Sequence, residues 1–231
     1  MKKKNFVIKM FISILMLFAI SCSVVAIEPS YITFATPDDQ FIIETTYPTD
    51  SFELTRHEDN KSVTFGVKDY DTNEEVEWWV FEKEIEYSLD SDVSPASQGV
   101  YRHTNIKDIG SLGGKLNHEV VLERSSGTYY SQFLYLNYDQ HWISGFSYFS
   151  PISFTKAIVP DPNSPSGNSW PAFGVRVSYS CVVQAAIPFN LNVTYKSSLL
   201  GGGFTLGATV GSVVYYTKNV TNTYVIKAMS Y

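Results

Sequence analysis

From Phe189 onward, apolar and polar positions alternate with a period of two. Phe189, Leu191, Val193 and Tyr195 are apolar, and Asn190, Asn192, Thr194 and Lys196 between them are polar. After Ser197–Gly203 the alternation resumes, with Phe204, Leu206, Ala208 and Val210 against Thr205, Gly207, Thr209 and Gly211. Past Lys218 and Asn219 it returns a third time, with Val220, Asn222, Tyr224, Ile226 and Ala228 on one face. Such alternation, rich in Val, Thr, Tyr and Phe and punctuated by Gly and Asn, predicts a C-terminal three-stranded antiparallel meander with one buried face.

Upstream the pattern is of short strands and turns. Phe41–Ile43, Phe52–Leu54 and Val63–Val67 are strand candidates, separated by Pro/Asp/Asn clusters. Glu74 to Leu89 fits two periods. Trp78, Phe81, Ile85 and Leu89 lie on a helical stripe, but Glu82, Glu84 and Glu86 alternate with apolar neighbours and Trp78–Phe81 is rich in strand formers, which favours a strand. Residues 90–118 read as irregular. Glu119 opens another strand, and Ser125–Thr128 reads as a turn. Tyr129 to Phe154 holds ten aromatics in 26 residues. Phe133, Leu134, Tyr135 and Leu136 make both faces of one strand apolar, which predicts a central strand. Residues 160–169, with three prolines, form a surface loop. The fold expected is all-β: an antiparallel sandwich or two packed twisted sheets, with little helix after residue 26.

The N-terminus changes the compartment. Lys2, Lys3, Lys4 and Lys9 precede an apolar run from Met10 to Ile20, and Val24 and Ala26 suit a cleavage site after Ala26. Residues 1–26 are therefore expected to be a bacterial secretory signal, its apolar run too short for the ~20 residues of a spanning helix. A weaker alternative is lipidation at Cys22, where Ala19-Ile20-Ser21 loosely resembles a lipobox. Either way Cys181 is the only thiol left for the mature domain, so a disulfide-stapled scaffold is excluded.

Charge divides the mature chain. Residues 27–92 hold 18 acidic and four basic side chains, whereas residues 93–231 hold five and nine. This points either to an acidic part over 27–110 followed by an aromatic, Gly/Thr-rich, weakly basic part over 111–231, or to one domain with two differently charged faces. The acidic half argues against nucleic acid as a partner, and the basic half suits a cell-wall polymer, glycan or membrane surface.

Recognisable chemistry is sparse. The four histidines are scattered, and no zinc, nucleophile-elbow, phosphate-loop or paired-cysteine motif occurs. Asp69–Asn73 starts like a calcium loop, but Glu74 and Val80 stand where that loop needs Gly and Glu, so a hairpin turn is expected. No metal, cofactor or catalytic residue is assigned, and Cys181, in a strand-like run, is read as a small buried hydrophobe. The favoured expectation is a secreted, non-enzymatic binding or envelope module, with Trp170 and Trp142 as surface-binding aromatics. The alternative is a β-pore former using a 186–217 hairpin tipped by Leu199 and Leu200. An envelope hydrolase with an unrecognised site comes third. Long alternating strands also make edge pairing, and hence a homo-oligomer, an expectation.

Overall fold

The computed structural model describes residues 30–82, 96–127 and 130–229. The expected signal segment, Cys22, Glu84 and Glu86 lie outside the described residues. Among the described residues the fold is all-β, with two six-stranded antiparallel sheets packed face to face and one short helix. The strands are β1 (Tyr31–Ala35), β2 (Phe41–Pro48), β3 (Phe52–Glu58), β4 (Ser62–Asp69), β5 (Glu75–Glu82), β6 (Ala96–Asp108), β7 (Lys115–Gly127), β8 (Tyr130–Ser144), β9 (Phe149–Pro160), β10 (Gly174–Pro188), β11 (Thr205–Val210) and β12 (Val213–Ala228). The helix α1 (Phe189–Gly201) lies between β10 and β11. Sheet A runs β1-β2-β12-β10-β9, with β11 also paired to β12; sheet B is a sequential meander, β3 to β8.

The alternation in β10 sets the core. Val175, Val177, Tyr179, Cys181, Val183, Ala185 and Ile187 are all buried, whereas the intervening Ser178, Ser180 and Gln184 face outward beside Thr223, Thr221 and Thr217 of β12. Two apolar clusters fill the space between the sheets. One gathers Phe41 stacked on Phe133 at 4.1 Å and Trp79 edge-on to Tyr224 at 5.8 Å. The other gathers Leu116, Cys181, Ile187, Leu199, Phe204 and Tyr216. Each fully buried side chain of this size contributes roughly 1.5–3 kcal/mol.

Near the junction of the clusters, a polar network ties the two sheets together. Glu77 of β5 has no solvent exposure. Its carboxylate accepts hydrogen bonds from Asn105 Nδ2 at 2.7 Å, the Tyr47 hydroxyl at 2.7 Å, Lys107 Nζ at 2.8 Å and Asn222 Nδ2. The Tyr179 hydroxyl donates to Asn105 Oδ1 at 2.7 Å. β2, β10 and β12 of sheet A are thus joined to β5 and β6 of sheet B through one satisfied buried anion.

Three expectations are corrected. The strand expected over Phe189–Tyr195 is helix α1, because both neighbours of β10 run out. Its last partner on β12 is Val213, where the chain turns into β11, and β9 reaches only to Ala185. A continuing strand would leave its backbone groups unpaired, and a helix satisfies its own. The meander is therefore reduced to β10, β12 and β11, interrupted by the helix. Residues 90–118, expected to be irregular, hold the long strand β6 from Ala96 to Asp108 and the start of β7, joined by a turn at 109–114. The strand expected from Glu119 is β7, which begins at Lys115 and runs through Ser125 and Ser126, expected in a turn, to Gly127. The β8 strand, expected to be central, is the edge of sheet B, and its far end leans over β9. Both halves of the chain about residue 110 contribute strands to both sheets.

Candidate functional site

Outer and inner faces of the β7–β8 hairpin are set by register. Leu116, His118, Val120 and Leu122 of β7 point inward and are buried. The alternate residues Asn117, Glu119, Val121 and Glu123 pair with Trp142, Gln140, Tyr138 and Tyr135 of β8, and cross-strand partners share a face. Tyr135, Tyr138 and Trp142 consequently stand together on the outer face of sheet B, with exposures of 53%, 42% and 39%.

Two irregularities in β8 set which residues share a face. The register shifts between Val121 and Leu122 and between Glu123 and Arg124, so Asn137 and Leu134 are extra residues on the β8 side. Strict alternation would put Tyr135 and Trp142, seven residues apart, on opposite faces. The bulge at Asn137 returns them to the same face, and the bulge at Leu134 leaves Phe133, opposite Arg124, in the core.

Polar side chains hold the row in place. Gln140 Nε2 donates to Glu119 Oε1 at 3.2 Å, and the Tyr138 hydroxyl also bonds Glu119, which raises the Tyr138 pKa. Asn117 Nδ2 donates to the Trp142 carbonyl at 3.3 Å and to Ser144 Oγ at 2.9 Å. Farther across the same face, Trp78 is engaged: its indole N–H donates to Glu75 at 2.6 Å and Lys115 Nζ sits 4.0 Å from its ring centroid. Burial pushes the Glu75 pKa up, but hydrogen bonds from Thr55, Trp78 and His57 outweigh it and leave the carboxylate below its ordinary range. The result is a flat platform of amphipathic rings with an amide and a carboxylate between them.

The other expected site residues are placed differently. Trp170 is partly buried against the first apolar cluster. Its loop is fastened to β8 by paired backbone hydrogen bonds between Ala172 and Phe133 at 2.7 and 2.8 Å. A ring held against the core cannot serve as an exposed platform. Leu199 and Leu200 do not tip a hairpin; they end α1, with Leu199 fully buried and Leu200 43% exposed. Tyr135, Tyr138, Glu119 and Gln140 were not singled out by sequence, because the bulges conceal their shared face.

Titratable groups elsewhere serve the interior. Asp139 of β8 faces inward, 3.3 Å from His118 Nε2, and forms an ion pair with Lys156 of β9, closing the sandwich edge. Burial lowers the His118 pKa to about 4 and that of His103 to about 3, so both are neutral near pH 7. Burial also pushes the Cys181 thiol up to about 11, which keeps it protonated and non-nucleophilic. Asp69 Oδ1 accepts the N–H groups of Asp71 and Thr72 at 2.8 and 2.9 Å, making the region a hairpin turn. Among the described residues, no three His, Cys, Asp or Glu side chains are grouped to hold a metal ion. No protein-family model, curated protein or solved structure matches the chain.

Proposed function

We propose that the protein is an exported, non-enzymatic β-sandwich module that binds a glycan or cell-wall polymer at the bacterial surface. The observation that carries the reading is the row of Tyr135, Tyr138 and Trp142, with hydrogen-bonding Gln140 and Glu119 set between the rings. Sugar rings present C–H faces that stack on aromatic rings and hydroxyl rims that exchange hydrogen bonds with amides and carboxylates. Rigid Tyr and Trp side chains give large contact area at low entropic cost, and an extended polymer suits a flat face. Export is supported by the basic and apolar N-terminus. The test is co-sedimentation of the purified protein with insoluble cell-wall polysaccharides. The wild type is expected to pellet and Trp142→Ala to stay in solution; equal pelleting of both would refute the assignment of the site.

A further inference from the structure

The apolar residues of α1 are divided between two opposite faces. Leu191, Tyr195 and Leu199 pack against the second apolar cluster. Phe189, Val193 and Leu200 form a second stripe, interrupted by Lys196, at helical spacing on the solvent side, where they are 64%, 88% and 43% exposed. β11 beside the helix is exposed along its whole length, with Leu206 at 51% and Val210 at 63%. The helix itself is weakly specified: Pro188 at its N-cap supplies no side-chain hydrogen bond, and there is no acid in its first turn or base in its last. Asn190, Asn192, Val193 and Thr194 are poor helix formers.

In an extended form the same residues would sort cleanly. Phe189, Leu191, Val193 and Tyr195 continue the parity of the buried face of β10, from Val175 through Ile187, and Asn190, Asn192 and Thr194 continue its polar face. A returning strand from Phe204 to Val210 alternates likewise, and Lys196 is the only charged residue between 177 and 217. A conflict between a period-two pattern and a helical fold is expected at functional or strained segments. A strand packed on a second sheet would show the same alternation. But the β6–β7 turn already meets the end of α1, where Ser111 Oγ donates to the Ser198 carbonyl at 3.0 Å, so an extended hairpin would project past the end of sheet B. A bilayer would cover its apolar face there. As a helix, α1 is about 20 Å long and falls short of the ~30 Å hydrocarbon core. Among the described residues, no helix is long and apolar enough to cross a membrane.

We infer that Phe189–Gly211 is a membrane-inserting segment, stored as a helix and an exposed edge strand and converted at a lipid bilayer into an amphipathic β-hairpin. It lies apart from the β7–β8 platform and does not depend on the glycan reading. The test places single cysteines at each position from 189 to 195 in a Cys181→Ala background, labels them with an environment-sensitive dye, and adds vesicles of phosphatidylcholine and phosphatidylglycerol in equal parts. Lipid-borne quenchers are expected to reach positions 189, 191, 193 and 195 and spare 190, 192 and 194, with release of vesicle contents. Val193→Glu, at a site already exposed, should leave the soluble fold intact and slow release about tenfold or more. Quenching at helical spacing, at 189 and 193 without 191, would overturn the conversion. Absence of quenching would overturn membrane insertion altogether, including the case where the stripe is instead covered in a dimer that Val193→Glu dissolves.

Discussion

Replacing Glu77 by Gln removes the charge at the centre of the cross-sheet network while keeping its shape. The native carboxylate is fully buried and accepts from Asn105, Tyr47, Lys107 and Asn222. A Gln amide offers one oxygen in place of two and turns an NH2 group toward existing donors, so at least one donor loses its acceptor. Orphaning a buried donor costs ~1–3 kcal/mol, and breaking a buried ion pair from one side ~3–5 kcal/mol. The Lys107 side chain is 20% exposed, so water recovers part of its solvation. The expected loss is therefore about 3 kcal/mol, a large share of the ~5–15 kcal/mol typical of a folded domain. Urea unfolding followed by tryptophan fluorescence measures it as a lowered midpoint at unchanged slope. A Glu77→Leu, Lys107→Met double variant should lose less than Glu77→Leu alone, since no unpaired charge is left behind. A Glu77→Gln protein within about 0.5 kcal/mol of wild type would refute the view that this network ties the sheets.

Acid should weaken the fold through His103 and His118. Both are buried with pKa values of about 3 and about 4, below the ordinary 6.5, so between these values and about pH 6.5 the unfolded chain binds protons that the folded chain does not. Their contribution is present in full above about pH 6.5 and is lost as pH falls; at about pH 5 the two together cost about 4 kcal/mol relative to about pH 7.5, read from urea midpoints, and a flat profile would contradict it. Cys181, buried with its thiol pushed to about 11, should react with a water-soluble disulfide reagent only as the protein opens, so the rate should rise steeply with urea. Rapid stoichiometric labelling of the native protein would show the thiol to be accessible instead.

The architecture was legible because β2, β4, β10 and β12 each have one wet and one dry face, which writes period two directly into sequence. Irregular-looking 96–108 was not legible as a strand because Gly99, Asn105 and Lys107 carry little strand signal of their own; pairing with β7 along the whole length supplies it. Helix α1 was misread for a different reason: its residues alternate as a strand would, and the local lack of a strand partner decides against the pattern. Trp142 was legible as an exposed ring, but its neighbours Tyr135 and Tyr138 were not, since two bulges change which face each residue meets. Trp170 lies beside a proline-rich loop that suggests exposure, whereas contacts distant in sequence, at Phe133, draw it inward. Partner identity in three dimensions, rather than residue type, is what each of these cases lacked.

The most direct test of the central assignment is the affinity of cell-wall polysaccharide fragments for wild type, Trp142→Ala, Tyr138→Ala and Trp170→Phe, measured by titration calorimetry. Truncating an aromatic anchor at the centre of an interface costs ~2 kcal/mol or more. Trp142→Ala and Tyr138→Ala should therefore each weaken binding about thirtyfold while the protein stays folded at the assay temperature, since both rings lie on the outer face, and Trp170→Phe should leave affinity as it is. Full affinity in Trp142→Ala and Tyr138→Ala, or its loss in Trp170→Phe alone, would contradict the placement of the binding face on β8.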